Sequence, residues 1–167
     1  MSVKGVGLAI VLKIVVRVFR YHLVDGSGTI CIRFLHFRSR QMAVNIGDKM
    51  PEGSFGIMTS EGPGALSSKE LFDAKTVVIF SVPGAFTPAC SSQHLPGFIK
   101  NAQAIKAKGV DTIACMSVND VFVMDAWAKD QSAGDQVQLL ADGNADYVKS
   151  LGLQLDASGF GMGTRGE

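Results

Sequence analysis

A short loop between an apolar run and a helical repeat, near the middle of the chain, constrains the fold most. Residues 76–82 are apolar and rich in β-branched side chains, which is typical of a buried strand. Residues 83–90 follow and read Pro-Gly-Ala-Phe-Thr-Pro-Ala-Cys. Apolar residues then recur at helical spacing, at Leu95, Phe98, Ile99, Ala102 and Ile105. The sequence therefore predicts a strand that leads through a loop into a helix whose first turn contains Cys90.

The first turn of a helix is a favourable place for a reactive thiol. Backbone N–H groups there lack partners within the helix, and the positive end of the helix dipole favours an anion, so a thiolate is stabilised. A lone cysteine at a helix start is nevertheless more often a small buried apolar residue. The prediction that Cys90 is a nucleophile therefore depends on the whole octapeptide.

Several motifs in register resemble those of a known family. Pro83, Thr87 and Cys90 form the pattern Pro-x-x-x-Thr-x-x-Cys. It is followed by His-Leu-Pro-Gly-Phe at residues 94–98 and by Ser-Val-Asn-Asp at residues 117–120. From about residue 42 to residue 165 the chain resembles the peroxiredoxins, and among them the type II, or peroxiredoxin-5-like, group.

The resemblance implies a thiol-dependent peroxidase that reduces hydrogen peroxide and organic hydroperoxides, with a role in antioxidant defence and redox homeostasis. It implies that the Cys90 thiolate attacks the peroxide and becomes a sulfenic acid. It further implies that the Thr87 hydroxyl hydrogen-bonds the thiolate and the peroxide, and that Pro83 shields the site from water. By residue type alone, Thr87 could be a helix cap and Pro83 a simple loop residue.

Other cysteine chemistries do not fit the spacing around Cys90. A phosphatase loop needs an arginine six positions later, where Pro96 stands, and a dithiol oxidoreductase needs a second cysteine at Gln93. Cys90 and His94 are four residues apart on one helix, but two ligands alone make a weak metal site. We expect no metal and no organic cofactor.

The chain has three cysteines, Cys31, Cys90 and Cys115, and their spacing does not suggest a secreted disulfide framework. Some type II relatives carry a second cysteine 25 residues after the first, as Cys115 is here, and this resemblance implies a resolving role for it. Cysteines in core strands are usually inert, so reduction of Cys90 by an external thiol, from thioredoxin, glutaredoxin or glutathione, is the competing hypothesis.

Charge divides the chain into two parts. Residues 1–41 carry seven basic and one acidic side chain, whereas residues 42–167 carry nine basic and fourteen acidic ones. We therefore predict a basic extension over 1–41 and an incomplete peroxiredoxin domain over 42–167. Residues 6–18 are apolar but contain Lys13 and Arg17, so a stable membrane span is not expected.

The basic extension leaves several interpretations open. Lys13, Arg17 and Arg20 would share one helix face, as in mitochondrial targeting segments, although serine is scarce. A membrane-surface anchor and translated non-coding sequence are the alternatives. We expect a cytoplasmic or mitochondrial protein, and no nucleic-acid partner because no recognition module accompanies the basic residues.

Strand and helix patterns alternate from residue 67 onwards, which predicts the α/β class and a mostly parallel central sheet flanked by helices, as in the family's thioredoxin-like fold. Ser67 and Glu70 match a capping box, and strands are expected at 110–118 and 137–141. Asn119 is expected to cap a helix over 121–129, and the glycines at 159, 161 and 163 are interpreted as a flexible loop.

The resemblance weakens at the carboxyl end. Family members continue past the position of Arg165 with a strand that bears an arginine near the thiolate, and we expect these C-terminal strands to be missing here. Arg165 is not assigned that arginine's role. The alternative function is accordingly a catalytically impaired, truncated product that acts at most as an interaction protein. Type II relatives often form dimers, so a homodimer is also expected.

Overall fold

The computed structural model describes residues 9–11 and 44–167. Its strands are β1 (Ala9–Val11), β2 (Ser54–Thr59), β3 (Gly62–Ser67), β4 (Val77–Val82), β5 (Thr112–Ser117), β6 (Gln138–Ala141), β7 (Gln154–Asp156) and β8 (Thr164–Gly166). Its α-helices are α1 (Ser68–Phe72), α2 (Leu95–Lys106), α3 (Val121–Asp130) and α4 (Asp146–Ser150), with a π-helical turn at Cys90–His94 and a 3₁₀ turn at Ser158–Phe160.

Six strands form a mixed sheet in the order β1-β4-β5-β6-β2-β3. The three pairs made by β1, β4, β5 and β6 are parallel, whereas β2 pairs antiparallel with both β3 and β6. Strands β7 and β8 form a separate antiparallel pair. The predicted α/β class with a mostly parallel, thioredoxin-like central sheet is confirmed, and the β2–β3 hairpin is an addition that the sequence analysis did not predict.

Helices cover both faces of this sheet, and each face has its own apolar cluster. On β4, Val77 and Ile79 belong to the cluster beneath α1 and α4, whereas Phe80 and Val82 belong to the cluster beneath α2 and α3. The alternation follows from the pleat, which sends successive side chains to opposite faces. Cys90 lies in the second cluster, so the chemistry predicted from the sequence belongs to the α2–α3 face.

Two local predictions are wrong and one is confirmed. The capping box of α1 is present, because Ser67 accepts from the Glu70 N–H while Glu70 accepts from the Ser67 N–H. Helix α3 is capped by Asp120 and not by Asn119, since one carboxylate oxygen of Asp120 accepts from two first-turn N–H groups at 2.9 Å. The glycine-rich end is no simple flexible loop, because it contains the 3₁₀ turn and leads into β8.

Most of the basic extension, with Cys31, Lys13, Arg17 and Arg20, lies outside the described residues. The exception is β1, which pairs in parallel with the edge of β4, Ala9 opposite Val77. The interpretations of residues 1–41 as a targeting segment or as translated non-coding sequence stay predictions. Among the described residues, no helix has the length and apolar character that crossing a membrane requires.

Candidate active site

Cys90 begins a π-helical turn at the start of the long helix that continues as α2. The Leu95 N–H donates to the Cys90 carbonyl, five residues back, which widens the helix by one residue. Such turns are rare and often occur at functional sites. The Cys90 side chain is only 2% exposed and packs in the cluster formed by α2, α3 and the sheet. The predicted placement of Cys90 at a helix start is confirmed.

Thr87 stands immediately before this helix but does not cap it. The first helical hydrogen bond runs from the Ser91 N–H to the Thr87 carbonyl, at 3.0 Å. The Thr87 hydroxyl points back along the loop and donates to the Gly84 carbonyl, at 2.9 Å. Pro88, which has no N–H, suits the first helical position. The Thr87 hydroxyl therefore forms its hydrogen bond within the loop and not with the first-turn N–H groups.

The loop itself is a tight turn over residues 84–87. The Thr87 N–H approaches the Gly84 carbonyl at 3.4 Å, and Phe86 adopts a φ of 61°. Positive φ at the third position of a turn is usual for glycine, and a bulky residue there costs on the order of 1 kcal/mol or more. Pro83, at the end of β4, is half-buried beside this turn. One connection, whose backbone is strained at Phe86, therefore contains Pro83, Thr87 and Cys90.

A polar pair at the end of β5 contacts the loop across 34 residues of sequence. The Asn119 side-chain oxygen accepts from the Ala85 N–H at 2.9 Å and from the Ser117 hydroxyl at 2.8 Å. Ser117 is fully buried. Both contacts donate to Asn119, so the orientation of its amide is fixed with the oxygen towards the loop. This role of Asn119 was not predicted from the sequence, in which Asn119 was expected to cap α3.

Arg165 lies behind the same loop. Its Nη1 donates to the Val118 carbonyl and its Nε donates to the Met162 carbonyl at 2.8 Å. A Cβ built on Gly84 would lie 3.8 Å from Nη1 of Arg165 and 3.1 Å from Cγ2 of Thr87. Gly84 is therefore needed where the loop approaches its neighbours closely, and the guanidinium binds the backbone at Val118 and Met162.

Helix α3 contacts the Cys90 turn from the opposite side. Trp127 is fully buried, and its indole N–H donates to the Ser91 hydroxyl at 3.0 Å. Met124 on the same helix is buried as well. Phe122 differs, because it is 64% exposed on the outer side of the same helix.

Cys115 lies in the middle of β5 and belongs to the same apolar cluster as Cys90. It is fully buried, with Phe80 of β4 as its neighbour in register. Burial raises the pKa of the Cys115 thiol well above its usual value, and the negative charge of a Cys90 thiolate raises it further. Cys115 is therefore held as a neutral thiol in the folded chain.

Comparison with known proteins supports one family. Residues 45–165 match the Redoxin family. The chain is 51% identical over 123 residues to Peroxiredoxin-2C of Oryza sativa subsp. japonica, covering 73% of this chain and 76% of that protein. It is 41% identical over 127 residues to the chloroplastic Peroxiredoxin-2E of Arabidopsis thaliana, covering 74% of this chain and 54% of that protein.

Solved structures agree with the sequence relatives. Reduced Prx3 of Vibrio vulnificus in complex with H₂O₂ is similar with a TM-score of 0.71 and 48% identity, covering 74% of this chain and 77% of that one. Peroxiredoxin 5 of Alvinella pompejana is similar with a TM-score of 0.67 and 30% identity, covering 74% of this chain and 79% of that one. The chain thus belongs to the redoxin family, among the type II peroxiredoxins.

Proposed function

We propose that Cys90 is the residue with which this peroxiredoxin, a thiol-dependent peroxidase, attacks its hydroperoxide substrate. The observation that carries the proposal is the position of Cys90 in the first turn of a long helix whose preceding threonine does not cap it. First-turn N–H groups and the helix dipole stabilise negative charge on sulfur. The same groups also stabilise negative charge on an oxygen that leaves next to the sulfur.

The reaction is a displacement at oxygen. The Cys90 thiolate attacks one oxygen of the peroxide, an S–O bond forms and the O–O bond breaks. The other oxygen leaves as hydroxide or alkoxide and takes a proton to become water or an alcohol. Cys90 is oxidised to a sulfenic acid and the peroxide is reduced.

We further propose that Thr87 and Pro83 shape the site. The Thr87 hydroxyl already donates to Gly84, so its lone pairs are free to accept a hydrogen bond from the O–H of a peroxide. Pro83 has no N–H and presents an apolar ring, which suits a wall that excludes water. Of the two hydrogen bonds that the resemblance implies for Thr87, this proposal keeps the one with the peroxide, because the single hydroxyl proton already goes to the Gly84 carbonyl and not to the thiolate. The shielding role of Pro83 is the one that the resemblance implies.

Regeneration of Cys90 requires a thiol reductant, and we propose that it comes from outside the chain, as thioredoxin, glutaredoxin or glutathione. The external thiol attacks the sulfenic sulfur, a mixed disulfide forms, water leaves, and a second thiol releases reduced Cys90. The resolving role of Cys115 is the alternative. It is less favoured because the pKa of the Cys115 thiol is raised well above its usual value, so that thiol is neutral, whereas the attacking species is a thiolate.

Dimer formation and location stay predictions. Phe86 and Phe122 are 52% and 64% exposed, and aromatic side chains of this kind suit a homodimer contact. The cytoplasmic or mitochondrial location is untested, and the Arabidopsis relative is named as chloroplastic. The alternative of a catalytically impaired interaction protein is not favoured by the similarity to named peroxiredoxins.

Trapping of the sulfenic acid tests the assignment of Cys90. The reduced protein is mixed with one equivalent of hydrogen peroxide in the presence of a dimedone-type probe, and labelled peptides are identified by mass spectrometry. We expect rapid labelling of Cys90, no labelling at that position in Cys90→Ser, and unchanged labelling of Cys90 in Cys115→Ser. Labelling no faster than that of a free cysteine would overturn the proposal.

A matched sample without the dimedone-type probe separates the two regeneration routes. Without added thiol, an internal disulfide between Cys90 and Cys115 would lower the intact mass by two hydrogens. We expect instead a sulfenic acid that persists until thioredoxin, glutaredoxin or glutathione is added.

A further inference from the structure

One peptide unit of the loop, between Gly84 and Ala85, is held from both ends. Its carbonyl accepts from the Thr87 hydroxyl at 2.9 Å, and its N–H donates to Asn119 at 2.9 Å. A peptide unit is planar, so its carbonyl and its N–H turn together. Any group that fixes the direction of the Ala85 N–H also fixes the carbonyl that orients the Thr87 hydroxyl.

Building on the proposed function, we propose that Asn119 is a positioning residue, which acts through the Gly84–Ala85 peptide to set the direction of the Thr87 hydroxyl towards the peroxide. Asn119 does not contact the Thr87 hydroxyl directly in this network. Its side-chain oxygen reaches the loop from the end of β5, an element that is rigid because β5 pairs with β4 and β6 along its length.

Two neighbouring hydrogen bonds hold Asn119 and its backbone in place, one from Ser117 and one from Arg165. The Ser117 hydroxyl has one proton, and Asn119 is its nearer acceptor, at 2.8 Å compared with 3.2 Å for the Val82 carbonyl. Arg165 binds the carbonyl of Val118, the residue between them. Because Ser117 is fully buried, water does not compete for its proton, and the Asn119 side chain is held in one rotamer.

Loss of the Asn119 oxygen would leave the Ala85 N–H without its acceptor in a half-buried turn. This turn is strained at Phe86, so rotation of the Gly84–Ala85 peptide would relieve strain once its hydrogen bond to Asn119 is lost. Rotation moves the Gly84 carbonyl, and the Thr87 hydroxyl loses the acceptor that sets its direction. The expected consequence is slower reaction with peroxide, with little change in reactions of Cys90 that do not use the Thr87 hydroxyl.

The test is a double-mutant cycle on full-length protein. The second-order rate of Cys90 oxidation by hydrogen peroxide is measured in single turnover for wild type, Asn119→Ala, Thr87→Val and the double variant. We expect Asn119→Ala to lower this rate by about 10- to 100-fold, the effect of one lost hydrogen bond in a buried site. In the Thr87→Val background the same change should lower it by less than about threefold, because residues that act in one chain are not additive.

Two further measurements separate positioning from a general structural role. The pH dependence of Cys90 alkylation by iodoacetamide should keep its midpoint in Asn119→Ala, because this reaction does not use the Thr87 hydroxyl. Asn119→Asp keeps an acceptor of the same size beside Arg165, and it should restore peroxide reactivity to within about fivefold of wild type. Ser67→Ala, which removes the capping box of α1, serves as a destabilised control with unchanged peroxide reactivity.

Equal losses from Asn119→Ala in the wild-type and Thr87→Val backgrounds, or no loss at all, would overturn the inference. If Asn119→Ala does not fold, Ser117→Ala replaces it in the cycle, with an expected loss of about two- to tenfold in the wild-type background only. Slow oxidation of Cys90 in the unaltered chain would overturn the proposed function itself. Fast oxidation there, without the predicted coupling, would overturn only the role of Asn119.

Discussion

The start of the Cys90 helix and the middle of β5 hold two buried cysteines of the same apolar cluster in different settings. Cys90 is 2% exposed and Cys115 is 0% exposed, so burial does not distinguish them. Cys90 lies in the first turn of a helix, beside a loop that carries polar contacts. Cys115 lies in a strand whose backbone groups are paired with β4 and β6. Local backbone geometry, and not burial, separates the proposed nucleophile from the neutral thiol.

The difference has an electrostatic cause. Apolar surroundings disfavour any thiolate, and they raise the pKa of Cys115 because nothing in the strand offsets them. A helix start offers N–H groups that have no partner within the helix, and these favour the charged form of a nearby thiol. An uncapped helix start is therefore the feature that would let Cys90 be reactive, as proposed, although its side chain is only 2% exposed.

Selective alkylation gives the largest expected contrast between the two cysteines. At pH 7 we expect Cys90 to react with iodoacetamide much faster than Cys115, because burial raises the pKa of the Cys115 thiol well above its usual value and the thiolate is the reacting species. Mass spectrometry of quenched, digested samples measures both rates in one experiment. Urea-unfolded protein is the control, in which the two rates should converge. Similar rates in the folded protein would contradict the comparison.

A carboxylate placed at the uncapped start of the Cys90 helix should remove the stabilisation that the first-turn N–H groups give to a Cys90 thiolate. In Thr87→Asp the new side chain would accept from the first-turn N–H groups and repel a thiolate. We expect peroxide reactivity to fall by about 10²- to 10³-fold, as for loss of a group that stabilises charge in the transition state. Thermal unfolding should show undiminished stability. Thr87→Ser, which keeps the hydroxyl, is the matched control, and a Thr87→Asp protein of normal reactivity would show that the open turn is unimportant.

Alkaline titration tests the strand cysteine. Below about pH 8.5 the Cys115 thiol is protonated in both folded and unfolded chains, so its contribution to stability is fully present. As pH rises further, the unfolded chain loses this proton while the folded chain keeps it, and the free energy of unfolding falls by up to about 1.4 kcal/mol per pH unit. Urea unfolding between pH 8.5 and 10 should show a shallower fall in Cys115→Ala. Identical slopes in both proteins would argue against a raised pKa.

Loss of the cap of α3 should lower stability without changing peroxide reactivity, unlike a change at the uncapped start of the Cys90 helix. Asp120 accepts from the Phe122 and Val123 N–H groups, so Asp120→Ala should lower the free energy of unfolding by about 1 kcal/mol. Peroxide reactivity should stay within about twofold of wild type, because this cap does not contact the loop. Denaturant unfolding and single-turnover kinetics measure the two effects. A large kinetic loss would mean that the two helix starts are coupled.

Prediction from sequence was most successful where the signal was local. The apolar run of β4, the capping box of α1 and the helix start at Cys90 were predictable because each depends on residues close together in the chain. The cap of α3 was misassigned by one position, since Asn119 and Asp120 are both good capping residues and adjacent. The β2–β3 hairpin was missed because its second strand contains two glycines and a proline.

The sequence by itself determined the local framework: a strand, a turn and a helix start that delivers Cys90, together with the motifs that identify the family. Whether Thr87 caps that helix was left open by the sequence and was decided by the structure, in which the Thr87 hydroxyl donates to the Gly84 carbonyl. Only the tertiary structure decided what holds the turn, because the contact between Ala85 and Asn119 joins residues 34 apart in the chain. Such a contact depends on parallel pairing of β4 with β5, which brings the carboxyl ends of both strands to one edge of the sheet. The local sequence pattern does not specify which residues of β4 and β5 pair. The hydrogen bond that holds the loop before Cys90 was therefore visible only in the folded structure.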